Sequence, residues 1–231
     1  MKFLGIDGCK SGWVVCKINE KCKYNIYLIS KIEEILPVID KYKLVLIDIP
    51  LGFAEKEYRK CDVLARKILK QRRNSIFFLP TEEALKASEY FEACKINERI
   101  MGKKFSKQLW NIRNKIFEAN DFVRKYNLQG KIRESHPELC FMVLNSNLPC
   151  KYSKQSEAGI KERMKILSKH VAIKEAKRFY LSNKKLLNFD DILDSIALAL
   201  NAKEYKHLKK IPQTSDPDKY GIEREIVFAK L

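Results

Sequence analysis

The sequence predicts an α/β protein built on a mixed β-sheet, in which three antiparallel strands are followed by parallel ones and flanked by helices. The first observation is that three β-rich segments near the N-terminus are separated only by short polar turns, a pattern typical of an antiparallel meander. The second is a near-continuous apolar run, Leu44–Asp48, that follows a helical segment. Such a run is typical of a central strand covered on both faces, and its helical connection favours parallel pairing with a neighbour.

The elements of this first part of the chain follow the hydrophobic pattern. The meander is expected at Lys2–Asp7, Trp13–Ile18 and Tyr24–Ile29. The segment Lys31–Lys41 is expected to be helical, because its apolar residues have helical spacing: Ile32, Ile35, Leu36 and Ile39. Pro50 ends the apolar strand that comes next.

The turn in the stretch FLGIDGCKSGW contains two glycines, a lysine and a serine, as a phosphate-binding P-loop does. It is not a P-loop, because Cys9 and not glycine precedes Lys10, and because a β-rich segment follows where a P-loop needs a helix. Gly8 and Gly12 instead predict a hairpin turn. Asp7 lies at the mouth of this turn, where it would either cap the turn or act as a ligand.

A second strand also ends in an aspartate, Asp48. Adjacent parallel strands have their C-terminal ends side by side, so Asp7 and Asp48 would converge if their strands are neighbours. Ligands of open α/β sheets bind at this edge. The pair therefore favours a functional site over two separate turn caps.

Residues 56–130 predict a long, mostly helical insertion over the sheet edge. Its first part is strongly basic, with Arg59, Arg66, Lys70, Arg72 and Arg73. Such a surface is either a solvated helix face or a guide for a phosphate backbone. Two other segments complete the pattern, a basic helix at residues 155–182 and an edge strand at residues 226–228.

A third carboxylate at a strand end, Glu134, closes the short strand predicted at Ile132–Glu134. His136 and Pro137 then open a helix, since proline suits a first helical turn. Glu138 lies in that turn, where a carboxylate complements the helix dipole. Among the histidines, His136 is the one near these acidic residues, and it is a candidate to orient a nucleophile or a phosphate.

The segment 188–202 predicts a tightly apolar helix that Asn188 or Asp190 caps. Asp191 and Asp194 share one face of it because they lie three residues apart. Burying two carboxylates in apolar surroundings is costly unless a cation compensates them. This face therefore predicts a metal ion.

Composition sets further limits. The 231 residues suffice for one large domain. Lys and Arg number 46 against 29 Asp and Glu, and the net charge of +17 favours polyanion binding, although a chain rich in Lys, Ile, Asn and Tyr is also typical of AT-rich coding sequence. Without a long apolar run or a signal peptide, we expect a cytoplasmic protein with no membrane partner. The seven cysteines form no C-x-x-C pair, which argues against a zinc site or a disulfide framework.

Six motifs, in this order, span most of the chain: GIDGCKSGWV, LIDIPLGF, RKCDVLARKIL, SIFFLP, ESHPELCF and DDILDSIALALNA. Together they resemble the domain-of-unknown-function family 429, described as predicted nucleases of the ribonuclease H fold. The closing D-x-x-D helix is also similar to that of Holliday-junction resolvases. The resemblance implies a ribonuclease H-like mixed sheet and a carboxylate-bound divalent-metal site.

The catalytic carboxylates that the resemblance implies are Asp7, Asp48, Glu134 and Asp191. These are also the implied metal ligands, with Asp194 as the alternative or addition to Glu134 and with Glu138 still open. Oxygen ligands favour Mg²⁺ or Mn²⁺, and a pair of ions roughly 3.5–4 Å apart would support hydrolysis of a phosphodiester bond by water.

The candidate substrate-positioning residues are Lys10, Arg59, Asp62, Arg66, Arg72, His136 and Glu138. Asp62 and Arg66 lie four residues apart and would equally form an ion pair on a helix surface. The expected partner is a nucleic acid, with DNA and RNA both open. A non-catalytic nucleic-acid-binding module remains an alternative, and so does an actin-like phosphotransferase, although that class needs a duplicated core.

Overall fold

A computed structural model gives the three-dimensional structure and describes residues 1–230. The strands are β1 (Lys2–Cys9), β2 (Gly12–Asn19), β3 (Tyr24–Ile29), β4 (Leu44–Asp48), β5 (Ile132–Glu134), β6 (Leu208–Ile211) and β7 (Ile226–Ala229). The α-helices are α1 (Lys60–Leu69), α2 (Glu82–Leu85), α3 (Tyr90–Met101), α4 (Lys107–Asn111), α5 (Arg113–Lys125), α6 (Pro137–Leu144), α7 (Glu157–Leu167), α8 (Ile173–Asn183) and α9 (Phe189–Lys203). Short 3-10 helices cover Ile32–Lys41, Lys70–Ser75 and Tyr205–His207.

The chain divides into two compact units. The first unit contains residues 1–49, 130–209 and the chain from Val227, and the second contains residues 50–129 and 210–226. The five-stranded sheet and α6 to α9 belong to the first unit, and α1 to α5 belong to the second. The second unit therefore takes in more than the predicted helical insertion.

The sheet of the first unit has the strand order β3-β2-β1-β4-β5. The pairs β1–β2 and β2–β3 are antiparallel, whereas β4 runs parallel to β1 and β5 parallel to β4. This confirms the prediction of an α/β fold with three antiparallel strands followed by parallel ones. β3, β4 and β5 have the predicted bounds, and the first hairpin turn is tighter than predicted because β1 and β2 pair as far as Cys9 and Gly12.

Helix α9 packs directly on the central strand β1, and a glycine makes this close approach possible. A Cβ atom at Gly5 would collide with the α9 backbone at Ser195 O and Ala199 N, and would lie 2.8 Å from the Cβ of Leu198. The helix is buried from Asp191 to Ala202. It is therefore the central helix of the core, and the absence of a side chain at position 5 sets its distance from the sheet.

We expect Gly5→Ala to destabilise the first unit by about 3 kcal/mol, the upper end of the usual cost of overpacking, because rigid backbone and not a flexible side chain blocks the added methyl group. Urea unfolding followed by circular dichroism measures this change. A variant as stable as the wild type would show that α9 does not approach β1 as closely as the structure has it.

Two predicted helices differ from the observed elements. Ile32–Lys41 is a 3-10 helix and not an α-helix; it contains Pro37, which has no N–H to donate to an α-helical hydrogen bond. The predicted helix at residues 155–182 is two helices, α7 and α8, that both contact α9. At the break, Val171 is buried and the Tyr24 hydroxyl donates to Ala172 O at 2.7 Å, so a core residue and a hydrogen bond hold the chain in its non-helical path.

The second unit contains buried hydrogen bonds between its distant segments. Gly52 N donates to Asn120 Oδ1 at 2.8 Å, and Phe53 N donates to Asp218 Oδ2 at 2.9 Å.

The strand predicted at residues 226–228 lies within β7, which pairs with β6 in a separate two-stranded sheet. Of the helices within residues 1–230, none combines the length and the apolar character that crossing a lipid bilayer requires.

Candidate functional site

Two aspartates meet at the C-terminal ends of the parallel strands β1 and β4. Asp7 and Asp48 are direct partners in the register of this strand pair. Partners in a parallel pair point to the same face of the sheet, so both carboxylates lie on one side. Asp7 is 6% exposed, and Gly8 N donates to its Oδ1 at 2.8 Å. The predicted convergence of these two strand-end aspartates is confirmed.

Helix α9 adds two more aspartates on the same face. Gly5 faces α9, and Asp7, two residues further along β1, shares that face. Asp194 is fully buried and Asp191 is 7% exposed. Asp191 also has a structural role, because its Oδ2 accepts from Asn188 N at 2.8 Å in a capping box at the start of α9. We call Asp7, Asp48, Asp191 and Asp194 the carboxylate cluster.

Burial makes the ionised forms of these aspartates unfavourable. It raises the pKa of Asp7 well above its usual range, and the neighbouring charges of Asp48, Asp194 and Asp191 raise it further. Burial likewise raises the pKa of Asp48, and it raises the pKa of Asp191 and Asp194 to about 6. A positive charge near the cluster would therefore stabilise the ionised carboxylates.

A lysine from the segment before α7 supplies part of that charge. Lys154 Nζ lies 2.7 Å from Asp194 Oδ2 and 3.7 Å from Asp190 Oδ2. Asp194 is the main cause that raises the pKa of Lys154 well above its usual range, and Asp7 and Asp48 add to the effect. The second oxygen of Asp194, Oδ1, is buried and has no hydrogen-bond partner within residues 1–230.

The donor atoms of the carboxylate cluster suit a hard cation, since all of them are carboxylate oxygens. The unpartnered Asp194 Oδ1 and the mutual repulsion of the aspartates fit a cation too. As the side chains stand, however, no group of three or more His, Cys, Asp or Glu within residues 1–230 is arranged to hold a metal ion. The chemistry of the cluster thus fits a divalent ion, while its present arrangement includes an ammonium group.

Of the two residues considered for completing the metal site, the structure brings Asp194 to the cluster and not Glu134. Glu134 is the register partner of Ile47 and not of Asp48. Because side chains alternate between the faces of a strand, this register places Glu134 on the sheet face opposite to Asp7 and Asp48. The end of a strand could be predicted from sequence, but the face of its last residue depends on a register that sequence does not give.

Glu138 and His136 lie near Asp48, since the charges of both shift the pKa of Asp48. His136 is the N-cap of α6, and its Nδ1 accepts from Glu138 N at 3.2 Å. Glu138 forms a buried ion pair with Arg163, whose Nη2 lies 2.5 Å from its Oε1. Lys10 is exposed in the turn between β1 and β2.

A family model described as "Protein of unknown function (DUF429)" matches residues 5–215 of the chain. The chain belongs to the DUF429 family. The match confirms the family resemblance that the six sequence motifs indicated. Neither the curated proteins nor the solved structures contain a significant match to this DUF429 chain.

The remaining candidate residues of the DUF429 chain lie in the second unit. Arg59 and Asp62 form a buried pair, with Nε and Nη2 of Arg59 at 3.1 and 2.5 Å from the two oxygens of Asp62. Arg66 donates to Ile76 O and Asn74 Oδ1. The alternative of a surface ion pair between Asp62 and Arg66 is therefore wrong, because Asp62 is buried and its carboxylate pairs with Arg59. Arg72 is half-buried in a 3-10 helix.

Sequence reasoning missed two basic residues at the site of this DUF429 chain, Lys154 and Arg163. Each is one of 46 Lys and Arg residues and belongs to no motif that predicts an active site. A fully buried arginine needs an acidic partner, but the burial of Arg163 is visible only in the structure, so its pairing with Glu138 could not be predicted. Lys154 had no signal in the sequence.

Proposed function

We propose that this protein is a divalent-metal-dependent nuclease with a ribonuclease H-like fold, and that the carboxylate cluster is its metal site. The observation that carries the proposal is the register of β1 and β4, which sets Asp7 and Asp48 side by side under the two buried aspartates of α9. Asp7, Asp191 and Asp194 are buried and Asp48 is half-buried, and such a group of acidic side chains is costly unless cations compensate its charge.

The sheet supports the ribonuclease H-like part of the proposal. Its order, with three antiparallel strands followed by parallel ones, agrees with the sheet that the family resemblance implies. We take Asp194 as the fourth metal ligand, because Glu134 lies on the sheet face opposite to Asp7 and Asp48.

The proposed reaction adds water across a phosphodiester bond, so that a P–O bond forms to the water oxygen and the P–O bond to the leaving group breaks. The products are a hydroxyl end and a phosphomonoester end. Bound Mg²⁺ or Mn²⁺, one ion or two, would supply Lewis acidity and would lower the pKa of a water molecule. In this proposal the aspartates hold positive charge at the sheet edge, and His136, whose charge acts on Asp48, would contact a phosphate oxygen.

The proposed substrate is a nucleic acid, either DNA or RNA. The net charge of +17 supports this, because basic proteins gain affinity for polyanions by releasing counterions. The main alternative is a nucleic-acid-binding module without catalysis. It is favoured by Lys154, whose ammonium group is already paired with Asp194.

We expect Mn²⁺ and Mg²⁺ to raise the thermal midpoint of the wild-type protein, because a ligand that binds only the folded state stabilises it by mass action. At an ion concentration of 100 times Kd, the free energy of unfolding rises by about 2.7 kcal/mol. Differential scanning fluorimetry with each ion, and with Ca²⁺ for comparison, measures the shift. In parallel, single-stranded, duplex, hybrid and branched DNA and RNA are incubated with the protein and Mn²⁺ or EDTA.

Cleavage that requires Mn²⁺ is the expected result of the nucleic-acid screen. Binding of nucleic acid without cleavage, with or without Mn²⁺, would favour the non-catalytic module. The absence of both a thermal shift and cleavage would contradict the proposal.

A further inference from the structure

We infer that Lys154 is an internal counter-ion of the carboxylate cluster, and that a divalent cation binds by displacing its ammonium group. The inference rests on the proposed function, since it takes the aspartates as metal ligands. It explains why four acidic residues, three of them buried and Asp48 half-buried, can lie together while no three of them, among the described residues, are arranged around a metal ion.

The position of the ammonium group carries this inference. Lys154 Nζ is 2.7 Å from one oxygen of Asp194, a distance typical of a strong charge-assisted hydrogen bond, and its charge acts on Asp7 and Asp48 as well. Asp194 is fully buried, and a cation that binds its free oxygen would come close to Nζ. Like charges repel at such distances, so the two cations exclude each other.

The backbone around Lys154 is held firmly, which means that only its side chain has to move. The carboxylate of Glu162 accepts from Lys151 N at 2.9 Å and from Tyr152 N at 3.1 Å. Arg163 Nη1 donates to Tyr152 O at 3.2 Å. The helix that supplies these anchors begins with a close contact, because a Cβ atom at Gly159 would collide with the carbonyl of the residue before Lys154.

The side chain itself has a route out of the cluster. It comes from the surface segment before α7, and 36% of it is exposed. A lysine has a flexible four-carbon stem, so its ammonium group can turn to solvent while the backbone stays in place. Displacement replaces the single charge of the ammonium group with the two charges of a divalent cation, which compensates the negative charge of the aspartates more fully.

The test compares Mn²⁺ binding by the wild type, Lys154→Met and Lys151→Met, measured by isothermal titration calorimetry. Methionine keeps the apolar stem of Lys154 and removes the charge. We expect the Kd of Lys154→Met to fall about tenfold, within the 5- to 150-fold range typical of coupled binding equilibria. Lys151→Met makes the same charge change at an exposed position in the same segment, and its Kd is expected to stay within about twofold, as for screened surface charges.

A second measurement uses only the wild type and so does not depend on the folding of a variant. An amine-modifying reagent is applied with and without Mn²⁺, and labelling is quantified by mass spectrometry. We expect Mn²⁺ to increase the labelling of Lys154 and to leave unchanged that of the exposed Lys161, whose ion pair with Glu157 lies on the surface of α7.

The possible outcomes separate this inference from the proposed function. Tighter binding by Lys154→Met together with increased labelling supports the inference. Equal Kd values for the wild type and Lys154→Met, with unchanged labelling, overturn it and leave the metal site standing. A lack of Mn²⁺ binding in the wild type and in both variants overturns the proposed metal site, and this inference with it.

Discussion

Asp7→Asn and Asp48→Asn are each expected to lower metal-dependent phosphodiester cleavage by more than about 100-fold, because changes even to the outer-shell partners of metal ligands cost about 10- to 100-fold. Asparagine keeps the size of the side chain and one carbonyl oxygen, but it removes the charge that attracts a hard cation. Initial cleavage rates at saturating Mn²⁺, on the best substrate of the nucleic-acid screen, measure the loss.

The fold of these variants is expected to survive. Burial and neighbouring carboxylates already disfavour the ionised form of Asp7, so the metal-free Asp7→Asn protein should melt at or above the temperature of the wild type at neutral pH. Added Mn²⁺ should stabilise it less than the wild type. A large loss of stability in the absence of metal would instead indicate that the aspartate has a structural role.

Two carboxylates serve as matched controls for this prediction. Asp40→Asn makes the same change at an exposed site in the 3-10 helix and should leave cleavage unchanged. Glu134→Gln tests the register, because Glu134 lies on the opposite face of the sheet and should keep the Mn²⁺ affinity of the wild type. If Glu134→Gln loses Mn²⁺ binding while Asp194→Asn keeps it, our assignment of the ligand set is wrong.

Asp62→Ala is expected to destabilise the second unit by about 3–5 kcal/mol, the usual cost of removing one partner of a buried ion pair. The side chains of Asp62 and Arg59 are both 1% exposed, so the change leaves a buried guanidinium without its carboxylate. Leu79 N also loses the acceptor that it has at 3.2 Å. Urea unfolding, followed by fluorescence and circular dichroism, measures the change.

The matched control for Asp62→Ala is Asp121→Ala. Asp121 also pairs with an arginine three residues away, Arg124, at 2.8 Å, but the two side chains are 61% and 48% exposed. Exposed pairs contribute about 0–1 kcal/mol, so this variant should be nearly as stable as the wild type. If Asp62→Ala is equally stable and weakens nucleic-acid binding instead, Asp62 positions substrate as the sequence suggested.

The sequence predicted the order of the sheet and the two aspartate pairs of the carboxylate cluster, because both depend on local patterns. The bounds of β3, β4 and β5 were predicted, and the aspartates that end β1 and β4 had to meet once the two strands were parallel neighbours. The pairing of Asp191 and Asp194 followed from helical spacing. None of these steps required knowledge of distant contacts.

The remaining features depend on contacts between distant parts of the chain. The face of Glu134 depends on the register of β5, and the break between α7 and α8 depends on burial of Val171 in the core. Lys154 reaches Asp194 across 40 positions of sequence, because the segment before α7 is anchored to that helix. Hydrophobic periodicity contains no information on any of these contacts.

The close packing of α9 on β1 has a consequence for the time at which the carboxylate cluster forms during protein synthesis. The ribosome makes β1 long before α9, because most of the sheet and eight other helices lie between them in the sequence, so Asp7 is made long before it can meet Asp191 and Asp194. Contacts between such distant segments form slowly. A nascent chain that still lacks α9 carries Asp7 and Asp48 without Asp191 and Asp194, and the carboxylate cluster is complete only after α9 has been made.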